Sequence, residues 1–159
     1  MCTRIHCVTE PPLLDDVNKR IIDQLQQDGR MSYATLAKQI GLSEAAARQR
    51  VQRMLDSGVM QIVAVTDPLT LGFRRQVMIG IKVEGDMRKV AEQLSAIAEV
   101  DYVVMCAGGY DLLAEMVCTD DEHLLTLLND QIRTIPGVAS TETFVYLKLA
   151  KQTYAWGTP

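Results

Sequence analysis

Arg48, Gln49, Arg50 and Arg53 place four long hydrogen-bond donors within one short segment, directly behind Ser43, Glu44 and Ala45. Donors of this kind recognise rather than react. Arginine forks onto a guanine edge or a phosphate, and glutamine matches adenine. Small residues such as Ala45 and Ala46 let a backbone approach the bases closely. The spacing fits one helix with two faces. Ala47, Val51, Met54 and Leu55 recur as an apolar stripe, Glu44, Ala45, Arg48, Gln49 and Gln52 fall opposite, and Arg50 and Arg53 flank them. An ordinary solvated helix face has a similar composition, so the elements around it must decide.

Bond-making chemistry finds little support. His6 and His123 are isolated, and no GxSxG, P-loop or HExxH pattern is present. Cys2, Cys7, Cys106 and Cys118 form no CxxC pair. Cys106 and Cys118 lie in apolar runs and read as small buried hydrophobes. Cys2, His6 and Cys7 lack a second ligand pair. The expectation is no enzyme, no metal and no cofactor.

Two further helices precede the donor segment. Ser32 caps one that carries Leu36, Ala37 and Ile40 inward and ends at Gly41, where a left-handed residue suits a helix C-terminus. Ser43 then caps the donor helix. Upstream, Asp15 or Asp16 caps a helix with Val17, Ile21, Ile22 and Leu25 on its inner stripe, closed by Asp28-Gly29-Arg30. Three such helices can close a core that none closes alone. The short break at Gly41-Leu42 gives the pattern of a helix-turn-helix.

The chain divides by charge as well as by pattern. Residues 1–65 hold eight Lys+Arg against seven Asp+Glu, a net of +1; residues 66–159 hold eight against thirteen, a net of −5. An acidic body behind a locally basic helix limits nonspecific attraction to DNA and favours binding through several paired heads. Residues 1–12 read as a disordered tail, 13–60 as the helical head and 61–75 as a hinge. Val59 to Val65 looks like a strand there, and Asp67-Pro68 is a turn. No apolar run approaches a membrane span and no signal-peptide core is evident, so the expected location is cytoplasmic.

Residues 76–150 read strand, helix, strand, strand, helix, strand, with 151–159 as a C-terminal tail. Val77, Ile79, Ile81 and Val83 alternate. Met87, Val90, Ala91, Leu94 and Ile97 form a helix stripe. Asp101–Ala107 and Tyr110–Thr119 are strands around Gly108-Gly109. Leu124, Leu127, Leu128 and Ile132 line a second helix, and Val138–Ala150 is the last strand. This order is the ferredoxin-like βαββαβ motif. Its helices cover one sheet face, and the apolar run Val103–Cys118 implies that a second copy covers the other.

With both halves read, the chain resembles the Lrp/AsnC family of transcription regulators over roughly residues 14–149. The motifs are Leu14-Asp15, Ile21-Ile22, Leu25, Asp28-Gly29-Arg30, Leu36-Ala37, Ile40-Gly41-Leu42-Ser43, Arg50-Val51, Arg53-Met54 and Gly58-Val59. Gly108-Gly109-Tyr110-Asp111, Pro136-Gly137-Val138 and Thr141-Glu142-Thr143 continue the match in the second half. Ala47, Met54, Leu55, Met60 and Ala107 depart from the family's usual residues. The resemblance implies an α+β protein, a three-helix winged helix-turn-helix joined to a ferredoxin-like (RAM) domain. It implies binding to double-stranded DNA through Ser43, Glu44, Ala45, Arg48, Gln49, Arg50 and Arg53. It also implies a homodimer that assembles further, to a tetramer or octamer, and an amino-acid effector between dimers at Gly108, Tyr110, Asp111, Thr141 and Thr143. A glycine turn can offer amides to a carboxylate, Asp111 can accept from an ammonium, and Thr141 and Thr143 share one strand face. On the residues alone, Gly108-Gly109 serves equally as a plain hairpin turn, Asp111 as an acceptor for turn amides, and the threonines as ordinary strand residues. A metabolite sensor with a weak DNA-binding head is the alternative.

Overall fold

The computed structural model describes residues 14–158, which form two compact units. The expected tail at 1–12 lies outside the described residues. One unit comprises residues 14–64 with 151–158, and the other spans Val65–Ala150.

The first unit is built from α1 (Asp16–Gln27), α2 (Tyr33–Ile40) and α3 (Glu44–Asp56). Each begins on a side chain that accepts from an otherwise unpaired backbone N–H. Asp15 accepts from Asn18 N at 2.7 Å, Ser32 from Thr35 N at 3.1 Å and Ser43 from Ala46 N at 3.3 Å. Gly41 ends α2 at φ 77°, and the N–H groups of Gly41 and Leu42 both reach Ala37 O at 2.9 Å. That left-handed residue turns the chain into α3 without a Cβ clash. The three stripes meet in one core of Ile21, Ile22, Leu25, Leu36, Ala37, Ile40, Ala47, Val51 and Met54. Leu55, expected inside, is half-buried at its margin.

Residues 59–65 do not form the expected strand, and no hairpin wing follows α3 among the described residues. Their β-branched residues suit a strand, but a strand needs a neighbour to bond. This unit offers no other extended segment in a ladder, and Ile62 and Val63 stay exposed. The C-terminal tail belongs to this unit instead of trailing free: Gly157 N donates to Gln26 Oε1 at 3.1 Å, and the Thr158 hydroxyl lies 3.1 Å from both Asp23 carboxylate oxygens.

The second unit follows the βαββαβ order: β1 (Arg75–Val83), α4 (Met87–Leu94), β2 (Val100–Met105), β3 (Leu112–Cys118), α5 (Asp121–Thr126) and β4 (Val138–Val145). α5 runs on into a π-helical segment, Leu127–Ile132. The sheet order is β2-β3-β1-β4, antiparallel throughout. Val77, Ile79 and Ile81 of β1 are fully buried with Val90, Leu94, Leu112, Ala114, Met116, Leu127 and Ile132, which fixes one face of the sheet as the helix-covered face. Alternation sends Met78 and Gly80 to the other face. Opposed residues share a face, so Tyr102, Val104, Leu113 and Phe144 lie there too. The strands around the glycine turn are shorter than expected. β4 stops at Val145 instead of Ala150 because β1 begins at Arg75 and leaves nothing to pair with; the last bond is Tyr146 N to Gln76 O, 3.0 Å. Among the described residues no helix is long and apolar enough to cross a membrane.

Candidate functional site

α3 carries the first candidate surface. Ser43, Glu44, Ala45, Arg48, Gln49, Gln52 and Arg53 are all exposed, while Ala47, Val51 and Met54 anchor the opposite side. Gln49 and Arg53 make no side-chain hydrogen bond among the described residues, so their donors stay available. Arg48 is steered: Nη2 lies 3.4 Å from Glu44 Oε1, one helical turn back, and Cζ sits 4.7 Å above the Tyr33 ring. A guanidinium stacked on an aromatic face loses less freedom when it binds. Tyr33, the first residue of α2, was missed in the sequence because only the fold carries it under α3.

Arg50 departs from the expectation. It is half-buried, and Nη1 donates to Asp15 Oδ2 at 2.7 Å and to Asn18 Oδ1 at 3.0 Å. It ties α3 to the start of α1 through Nη1. The reason is positional: Arg50 flanks the apolar stripe and points back toward the α1 cap. Asp15 thereby accepts from the Asn18 backbone and the Arg50 side chain, which together hold its carboxyl below the ordinary aspartate range.

The five residues expected around an effector do not converge in one chain. The Tyr110 ring lies on the open sheet face, where a Cβ on Gly80 would come within 2.8 Å of it, and it meets Phe144 edge-on at 6.0 Å. Thr143 opposes Ile79 and Thr141 opposes Ile81, which puts both threonines on the helix side at the edge strand. Asp111 bonds across the sheet and not within its own turn: Oδ2 takes the N–H of Val83, the last residue of β1, at 2.8 Å, and its backbone joins Ile81 O and Cys106 N. Gly108 and Gly109 are exposed, and neither has a positive φ. The alternating left-handed residue of an amide nest is therefore not preformed there.

A separate cleft of 330 Å³ opens beside Thr141, lined by Arg133, Val138, Ala139, Ser140 and Thr141. Sequence reasoning missed Arg133 because it stands in a helix end, eight residues before its partner. Its Nε donates to Thr141 Oγ1 and its Nη1 to Asn129 Oδ1, both at 3.1 Å.

Neither candidate surface contains a reactive centre. His123 lies between Glu99, at 3.6 Å from Nε2, and Thr119, whose hydroxyl is 3.2 Å from Nδ1. The neighbouring Cys118 thiol is buried, and that burial, reinforced by Glu99 and Asp120, pushes it up to about 11. A thiol held neutral at working pH is a poor nucleophile.

A capped three-helix head with free donors along its third helix, followed by a ferredoxin-like domain, defines a helix-turn-helix DNA-binding regulator. The AsnC-type helix-turn-helix domain matches residues 14–55, and the C-terminal dimeric alpha+beta barrel domain of AsnC-type regulators matches residues 73–159. The chain is 35% identical to the HTH-type transcriptional regulator FL11 of Pyrococcus furiosus, over 89% of this chain and 94% of that protein. It is 31% identical to the proline dehydrogenase transcriptional activator of Rhizobium radiobacter, over 88% and 93%. The solved structure of E. coli AsnC superposes with a TM-score of 0.76 at 28% identity, covering 89% of this chain and 97% of that one. A transcriptional regulator of Neisseria meningitidis solved with L-methionine shares the fold, with a TM-score of 0.77 at 23% identity over 89% and 94%. The chain belongs to the Lrp/AsnC family of transcription regulators, and its relatives are regulators, not enzymes.

Proposed function

We propose that this DNA-binding regulator is an amino-acid-responsive switch that works as a paired, further-assembling oligomer in the cytoplasm, where chromosomal DNA is. Ser43, Glu44, Ala45, Arg48 and Gln49 address base edges and Arg53 a phosphate, whereas Arg50 holds the head together. The observation that carries the reading is the division of exposed surface. The α3 face offers unspent donors, while the open sheet face leaves Tyr102 and Phe144 about half exposed, at 53% and 42%. A second copy covering that face brings two heads together, so the operator is roughly palindromic. Tetramers or octamers multiply the heads again, and a small amino acid bound beside Thr141 and the Gly108–Asp111 turn shifts one assembly toward another. That a relative in fold holds L-methionine supports the ligand class.

The test joins two readouts. Fluorescence anisotropy against DNA from upstream of the protein's own gene, with scrambled DNA beside it, is run with an amino-acid panel, and sedimentation velocity is run on the same samples. Sequence-preferring binding that changes together with the oligomer distribution supports the switch. An amino acid that binds and moves neither quantity sinks it.

A further inference from the structure

Resting on the amino-acid-sensing reading above, we propose that Arg133 anchors the carboxylate of the ligand. Thr141 and the β-bulge at Ala139 complete the cradle, and Val138 forms its apolar wall. Three independent observations meet at this cleft.

The first is an uncompensated cation. Among the described residues no carboxylate lies within ion-pairing distance of Arg133, in a half of the chain whose net charge is −5. Its two described bonds go to neutral side-chain oxygens, Thr141 Oγ1 and Asn129 Oδ1, and not to the carbonyls that end the π-helical segment. These bonds hold the guanidinium plane and leave Nη2 unspent. A fork fixed in advance binds a carboxylate with less ordering.

The second is the polarity of Thr141. A hydroxyl that accepts from Arg133 Nε has its own hydrogen free to donate, and a carboxylate is the best acceptor for it. The third is the bulge. The register passes from Lys82 opposite Ser140 to Val83 opposite Val138, so Ala139 has no partner across the ladder. A bulged residue drops out of pairing and leaves backbone groups for another use. The cleft joins all three features in 330 Å³, a space for a small molecule. The Gly108-Gly109 turn has neither the cation nor the nest geometry.

The experiment is isothermal titration of the full chain with the L-amino acids, then with the α-amide of each one that binds, and with acetate. The expected result is at least about a tenfold loss for the amide, the scale of one charge-assisted hydrogen bond. R133Q and T141V should show a similar loss for the parent amino acid, and R133K a partial recovery. An amide that binds as tightly as its acid overturns the proposal, as does full affinity in R133Q. Acetate as tight as the amino acid overturns the assignment of the ligand. If no amino acid binds the unmodified protein, the sensing reading itself fails. The amide comparison needs no variant, so it can overturn the proposal even where R133Q misfolds, and T141V then tests the cleft itself.

Discussion

In the helical unit every apolar stripe meets another, and the donors of α3 stand together on one exposed ridge. In the sheet unit one face is closed by helices and the other is open, and the residues expected at the ligand site lie on both sides of the sheet. The head is thus finished within a single chain, whereas the sheet domain has groups whose use requires something outside it. Sites carried by one helix can be found from periodicity. Sites assembled from strand edges and loops depend on register and on a neighbour.

The largest effect should come from the head's centre. Leu36 is fully buried, and Leu36→Ala should destabilise the head by about 2–5 kcal/mol. Denaturation followed by circular dichroism should show helix lost early and sheet retained. Concerted loss of both would mean that the units are not energetically separate.

Gly80→Ala tests the other unit. The added methyl meets the Tyr110 ring at 2.8 Å, so the ring must leave its place, at about 1–3 kcal/mol. Because Tyr110 lies on the open face, sedimentation should show weakened self-association. Adding Tyr110→Ala should recover stability, and a strictly additive double mutant would refute the contact.

Within α3 the two neighbouring arginines should behave differently. Arg48→Ala should weaken operator binding by about 1–3 kcal/mol and, if Arg48 reads a base, relax specificity at one position. Arg50→Ala should instead lower the melting temperature of the head and leave base preference unchanged. Binding curves and melts of both variants separate the roles, and interchangeable behaviour would erase the distinction.

The smallest effect is acidic. The depressed Asp15 carboxyl contributes stability that is present above its ordinary value of 3.8 and is lost as pH falls through the lower folded value. Melts of the wild type and D15N between pH 5 and about pH 2 should therefore converge at the acid end.

Much of this was legible in advance. The caps Ser32 and Ser43, the left-handed Gly41 and the stripes of all three head helices follow from local chemistry, and local chemistry is what a sequence shows. The βαββαβ order is legible for the same reason. The strand at 59–65 was misread because β-branched residues state a preference while pairing needs a partner. The tie from Arg50 to Asp15 is not legible because it spans 35 residues. Tyr33 and Arg133 were missed because each acquires its role only across a tertiary contact, with Arg48 and Thr141 respectively. Asp111 has two readings on its residues alone, and its bond to Val83 N, 28 residues away on β1, is one that neither reading contains.

The bonds from Gly157 and Thr158 to α1 set an order of events during synthesis. A ribosome delivers the helices of the head first, the sheet domain next, and residues 151–158 with their contacts to α1 only after both. The head is therefore interrupted in sequence, and an excised fragment ending near residue 60 lacks part of its own surface. Emergence of α3 does not complete the DNA-reading unit, which waits for the contacts that residues 157 and 158 make with α1.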